Sequence, residues 1–173
     1  NQPSTLIGIG GAEVYGHAWN WWWRTQHWPV LEQGTHFAVG VESFPAIDFL
    51  PLMLLGWIAR WLSPLAAHNI WVILCCGLAA YGGKKLAESV NGNPLFGAMA
   101  VAWSAPFLGS ISSGLTEDMA LGLSALALAA ARCNLMVAAG WTVAAAASGL
   151  VLGWLTGALL LGYMLLHPHL WSA

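Results

Sequence analysis

Charge is what this chain has least of. Five Lys or Arg and seven Asp or Glu serve 173 residues, 7% of the total, against about 25% in an ordinary soluble domain. So few charges cannot cover a globule of this size. With 58% hydrophobic residues and a mean hydropathy of +0.67, the surplus apolar surface is expected to face lipid. Cysteine is scarce too. Cys75, Cys76 and Cys133 sit in no CxxC or Cys/His spacing that would suggest a metal, and bridging the adjacent pair is geometrically awkward. All three read as small apolar packers. No basic stripe marks a nucleic-acid-binding surface, and a net charge of −2 says little more. A positively charged leader followed by an apolar segment is missing. The chain opens on Asn1 and stops soon after an apolar run. We therefore expect an internal piece of a longer protein, with at least one span ahead of it.

What is abundant is uncharged apolar sequence. Pro64–Gly83, Pro94–Thr116 and everything after Arg132 carry no charge, and runs of about 20 apolar residues are the length that crosses a bilayer core as a helix. The expected fold is all-α, a polytopic transmembrane helical bundle. Residues 64–173 would supply four to five spans, and residues 1–63 an extracytoplasmic loop with interfacial or re-entrant helices. The whole chain is then one membrane domain. Lys84-Lys85 directly after the first span favours a cytoplasmic position for that end, and Lys84–Asn93 reads as a short inside loop with Gly92 and Pro94 as turn signals. Pro94–Ser112 would run outward, kinked by Pro106. Ser113–Asp118 would turn outside, and Leu115–Ala131 would return inward to Arg132. Leu135–Leu166 is 32 uncharged residues, about 48 Å of helix, too long for one span. It should break near Gly153–Gly157. Gly149, Gly153 and Gly157 recur every four residues, a small-residue face that lets backbones approach. Arg24 and Arg60 land outside and count against this orientation.

The polar-aromatic stretch Gly11–Trp28 holds five of the twelve tryptophans. Read as a short helix, Ala12–Trp23 puts Glu13, His17 and Asn20 on one face, with Trp21 and Trp22 opposite, at the headgroup level tryptophan prefers. Pro29–Phe49 reads as irregular, with Glu32, His36, Glu42 and Asp48. Pro51–Leu62, about twelve residues, is too short to span and suits a second interfacial or re-entrant helix. Under this topology Glu13, Glu42, Asp48, Glu117 and Asp118 all gather on one side. Glu13 with His17 reads as a base and its orienting partner, since partial desolvation raises a carboxylate's basicity. The competing reading is a hydrated acid in a helix's first turn. Glu117-Asp118 after Thr116 is read first as ordinary capping, and Glu42 and Asp48 as solvated loop acids. Arg24 suits a phosphate or an interfacial anchor. His68-Asn69 suits a polar contact between helices. His167-Pro168-His169 is too sparse for a metal site.

Several short motifs resemble bacterial membrane glycosyltransferases of the GT-C type. They are Gly11-Ala12-Glu13-x-x-Gly16-His17-x-Trp19, the Phe44-Pro45 loop with Asp48, His68-Asn69 at a span's outer end, Ser104-x-Pro106-Phe107, and Gly114-x-x-Glu117. The likeness covers roughly Gly10 to Gly157. It implies an integral protein of the bacterial inner membrane, with a polyprenyl-phosphate-linked sugar donor and an acceptor on the extracytoplasmic face. Glu13 would be the catalytic base, with His17 or Arg24 opposing the departing phosphate. Trp19 and Trp22, with Glu42, Asp48 and Glu117, would lie around the substrates. Many members carry a paired acidic motif where this chain has Glu13 alone, so a divalent metal cofactor stays open. The remainder of the full-length chain is an expected partner. The alternative is a non-enzymatic membrane component, such as a transporter half or assembly subunit.

Overall fold

A computed structural model describes residues 22, 32–33, 44–45, 49–113 and 121–167. Helices dominate them. A two-residue antiparallel ladder, β1 (Glu32–Gln33) with β2 (Phe44–Pro45), pairs Glu32 with Pro45 and Gln33 with Phe44. It falls inside the stretch read as irregular loop. Then follow α1 (Phe49–Trp61), α2 (Pro64–Ser89), α3 (Pro94–Ala102), α4 (Ala105–Ser113), α5 (Leu121–Ala130), α6 (Leu135–Ser148) and α7 (Leu150–Leu166).

The helix starts are written in the sequence. Ser63 accepts from the Ala66 amide at 3.1 Å, with Pro64 as first helical residue. Asn93 repeats the device before Pro94, accepting from Leu95 and Phe96. Asn134 caps α6 through the Val137 amide at 3.1 Å. Each side chain satisfies an amide that has no partner within its own helix, and proline loses nothing there because its position has no amide hydrogen to satisfy.

The helix ends depart from expectation. Lys84–Asn93 is not a loop throughout: α2 continues to Ser89 before turning through Asn91, whose φ of 57° is left-handed. The Gly92 amide closes that turn onto the Ala87 carbonyl at 2.8 Å. A charged final turn remains helical because Lys84 and Lys85 both face Glu88, three to four residues on. The second apolar run breaks rather than bends. Trp103-Ser104 separates α3 from α4, because Pro106 has no amide hydrogen to give the Ala102 carbonyl, and the Ser104 hydroxyl starts α4 by accepting from Phe107. The break in the last run falls at Gly149, not Gly153–Gly157. Gly149 is extended (φ −157°) and buried. Gly153 and Gly157 lie one and two turns into α7, facing Ala146 and Thr142 of α6. The small-residue face therefore closes the α6–α7 hairpin on itself.

Among the described residues two elements are long and apolar enough to cross a membrane, Pro64–Ser89 and the broken run Pro94–Ser113; the other apolar helices described are shorter. At about 1.5 Å per residue the 14 residues of α6 reach only about 21 Å.

Glycine contacts define the directions. A methyl on Gly82 would run into the Gly122 carbonyl and Ala125, and one on Gly122 into the backbone at Leu78-Ala79. The contacts advance together, so α5 runs parallel to α2. Gly83 abuts Gly97 and Val101, while Gly97 abuts Gly83 and Ala87, so α3 runs antiparallel. Trp71, Val72, Cys75 and Ala79 of α2, Phe107 of α4, Leu123 of α5, Ala145 of α6 and Ala59 of α1 form the main buried cluster. A second, smaller one joins Ala131, Ala138 and Leu160. Of the cysteines, Cys75 packs in the core, but Cys76 and Cys133 are exposed. Neighbours on a helix point about 100° apart, so Cys75 and Cys76 cannot share a face.

Gly82→Ala and Gly83→Ala should each lower the unfolding free energy by about 1–3 kcal/mol through overpacking. Gly77→Ala and Gly140→Ala, where an added methyl meets open space, should be neutral or stabilising by up to about 1 kcal/mol. Equilibrium unfolding in detergent micelles measures all four, and equal effects would remove the close-approach argument.

Candidate functional site

Of the residues singled out for chemistry, Glu13, His17, Trp19, Arg24, Glu42, Asp48 and Glu117 lie outside the described residues, as do His36 and Asp118. Trp22 is helical and 47% exposed; the rest of Ala12–Trp23 lies outside the described residues. The β1–β2 ladder sets Phe44-Pro45 against Glu32-Gln33, which brings the two ends of segment 34–43 together.

The other motif residues do structural work. His68 is fully buried on α2, and Asn69 beside it is half-buried. Ser104 caps α4 and its own hydroxyl donates to the Val101 carbonyl at 2.9 Å. Phe107 lies in the main core. These residues fix the second turn of α2 and the first turn of α4, and both turns contribute to one cluster of buried side chains.

Apart from His68, the buried polar side chains described in the helical frame are hydroxyls. Ser110 donates to Pro106 and Ser148 to Ala144, each to the carbonyl four residues back at 2.9 Å. That route satisfies a hydroxyl within its own helix. Thr156 differs. Its oxygen stands 2.7 Å from both the Leu152 carbonyl and the Ser124 hydroxyl of α5. One hydroxyl proton cannot serve two acceptors, so Thr156 donates to Leu152 and accepts from Ser124. This buried bond ties α7 to α5 across 32 positions of sequence. The sequence reading overlooked it. Its only sequence signal is a hydroxyl in the middle of a charge-free run.

The ionic groups described on α2–α7 lie at one end. Glu88 takes the Lys85 ammonium at 2.8 Å and Lys84 at 3.8 Å, and Lys85 also stands 5.8 Å over the Tyr81 ring. Arg132, exposed, follows α5. Since α2 and α5 are parallel, their last residues share that end, and Arg60 of α1 lies towards the other, three residues before Ser63. Among the described residues no three His, Cys, Asp or Glu side chains gather as metal ligands would. A cavity of about 490 Å³ beside α6 and α7 is lined by Ala146, Gly153, Trp154, Gly157, Ala158 and Leu161. Its wall offers no acid or base, so it can hold hydrocarbon but not perform proton transfer.

A double-mutant cycle of Ser124→Ala and Thr156→Val should give a coupling of about 0.6–1.7 kcal/mol, the range of hydrogen bonds between membrane helices. Strict additivity would mean that the α5–α7 bond does not form.

With this geometry in place, comparison with known proteins adds no relative: no family model, curated protein or solved structure matches the chain.

Proposed function

We propose that the chain is the membrane-embedded part of a glycosyltransferase that moves a sugar from a polyprenyl-phosphate donor to an acceptor outside the inner membrane. The observation that carries this reading is the sorting of charge. Among the described residues of α2–α7, every ionic side chain is at the Lys84 end. At the opposite end α2 begins and α4 finishes; Glu117 follows the end of α4 by four residues, and the segments with Glu13, Glu42 and Asp48 lead in through α1.

The apolar exterior supports a bilayer setting. Phe96 is 73% exposed and Met136 83%, and Trp103, Trp154 and Leu166 are similarly open. Such surface is costly in water at about 25 cal/mol per Å² and costs nothing against lipid. In that setting the α6–α7 hairpin is a re-entrant element. Thr156 is level with Ser124, near residue 80 of α2, so Gly149 reaches only the middle of α2. Packing of α1 on both α2 and α6 covers the space above it.

Chemically, Glu13 takes the proton of the acceptor hydroxyl as its oxygen bonds to the anomeric carbon. The bond from that carbon to the phosphate oxygen breaks, and polyprenyl phosphate leaves with the electron pair. Arg24 or His17 stabilises the charge that develops on the phosphate. Trp19 and Trp22 hold the lipid head at the interface. The apolar groove beside Trp154 gives hydrocarbon a place to lie.

Glu13→Gln in the full-length protein should abolish transfer while leaving membrane insertion intact, because a neutral amide accepts no proton. Transfer at the wild-type rate would remove Glu13 from the base role. Mass spectrometry of the purified protein should find a lipid-linked sugar. Its absence, together with transport by vesicles, would favour a non-enzymatic membrane component.

A further inference from the structure

Two separate pieces of chain deliver three cations to one end of the helical frame, and the glycine crossing holds them there. Gly82 and Ala125 are in contact, so Lys84 and Lys85 follow within one turn on α2 while Arg132 follows two turns on, past the end of α5. The parallel course of the two helices puts Arg132 about one turn beyond the lysines. Glu88 is shared by both lysines, and one carboxylate neutralises one of them. With Arg132, two positive charges are left over.

The flanks of this end are not those of a water-facing surface. Leu95 and Phe96 open α3, Met136 and Val137 open α6, and Leu165 and Leu166 finish α7; all six are exposed. Tyr81 lies under Lys85, and Tyr163 stacks on His167 at 4.6 Å. Apolar side chains, aromatic rings with polar tips and surplus cations gathered at one end match the interfacial zone of a lipid leaflet, where long cationic stems reach past their apolar neighbours. Acyl chains and the glycerol region meet the apolar side chains and the tyrosines, and headgroup phosphates meet the cations.

We propose that Lys84, Lys85 and Arg132 form a binding surface for anionic phospholipid headgroups, so that this end of the protein selects a phosphatidylglycerol-type leaflet over a zwitterionic one. The inference rests on the bilayer setting proposed above but not on sugar transfer. Arg132 is the directional element: its planar guanidinium takes two phosphate oxygens at once. The lysines act as point charges on long stems that reach from the helix end to the headgroup plane.

Electron spin resonance of the full chain reconstituted in vesicles tests this with spin-labelled phosphatidylglycerol and phosphatidylcholine. The wild type should retain the anionic probe on the order of tenfold more strongly at low salt, given the worth of each cation near an anionic surface, and the preference should fall in about 0.5 M salt. Lys84→Gln, Lys85→Gln and Arg132→Gln combined should erase it. Arg60→Gln, at the opposite end, and Lys84→Arg with Lys85→Arg should keep it. Equal retention of the two probes by wild type, or a preference that survives the triple neutral variant, overturns the headgroup surface. Vesicle flotation separates the outcomes. A chain that floats but shows no preference sinks this inference alone, and one that fails to float sinks the bilayer setting with it.

Discussion

Two adjacent glycines hold the helical frame together. Side chains at neighbouring positions of a helix point about 100° apart, so Gly82 and Gly83 open two different faces of α2. One admits the Gly122 backbone of α5 and the other admits Gly97 of α3. No apolar side chain of ordinary size allows backbones so near. Close approach replaces bulk as the source of cohesion, since dispersion between many atoms at contact distance accumulates where side-chain volume is missing. It also explains why so many large apolar residues are outside. Glycine, alanine and serine fill much of the interior around Trp71, Phe107 and Leu123, and many other large apolar residues are on the exterior, where in a bilayer they meet lipid.

Polar groups in such an interior must be satisfied locally. Ser110 and Ser148 return their protons to carbonyls of their own helices, and the Ser124–Thr156 bond reaches between helices. The same requirement shapes the breaks. Where Pro106 withholds an amide hydrogen, Ser104 supplies a hydroxyl that both donates to Val101 and accepts from Phe107. The chain interrupts a long apolar run without leaving the new helix start uncapped.

Much of the frame was legible in the sequence because its signals are local. Ser63-Pro64 and Asn93-Pro94 announce helix starts through capping chemistry, and uncharged runs bound the helices. The breaks were less legible. Proline at 106 was read as a kink, but the loss of one hydrogen bond together with a capping serine produces a full interruption. The hairpin corner was placed at the Gly153–Gly157 cluster, yet those glycines are needed on the inner face of α7, and the turn falls to Gly149 instead. Composition alone cannot separate a glycine that bends from a glycine that admits a neighbour. The two-residue ladder at Phe44-Pro45 was invisible for another reason: pairing so short leaves no periodicity to read. The chemistry-bearing acids and Arg24 fall outside the described residues, so Glu13 as base stays with the sequence motif that suggested it.

The Gly149 corner has a consequence for biogenesis. Fourteen and seventeen residues stand on either side of it, and Gly153 and Gly157 of α7 pack against Ala146 and Thr142 of α6. During synthesis α6 can already pack on α5 and α1, but its side bearing Thr142 and Ala146 stays uncovered until α7 has emerged behind it. A pause in synthesis engineered just after Gly149 would hold that side of α6 open for as long as it lasted.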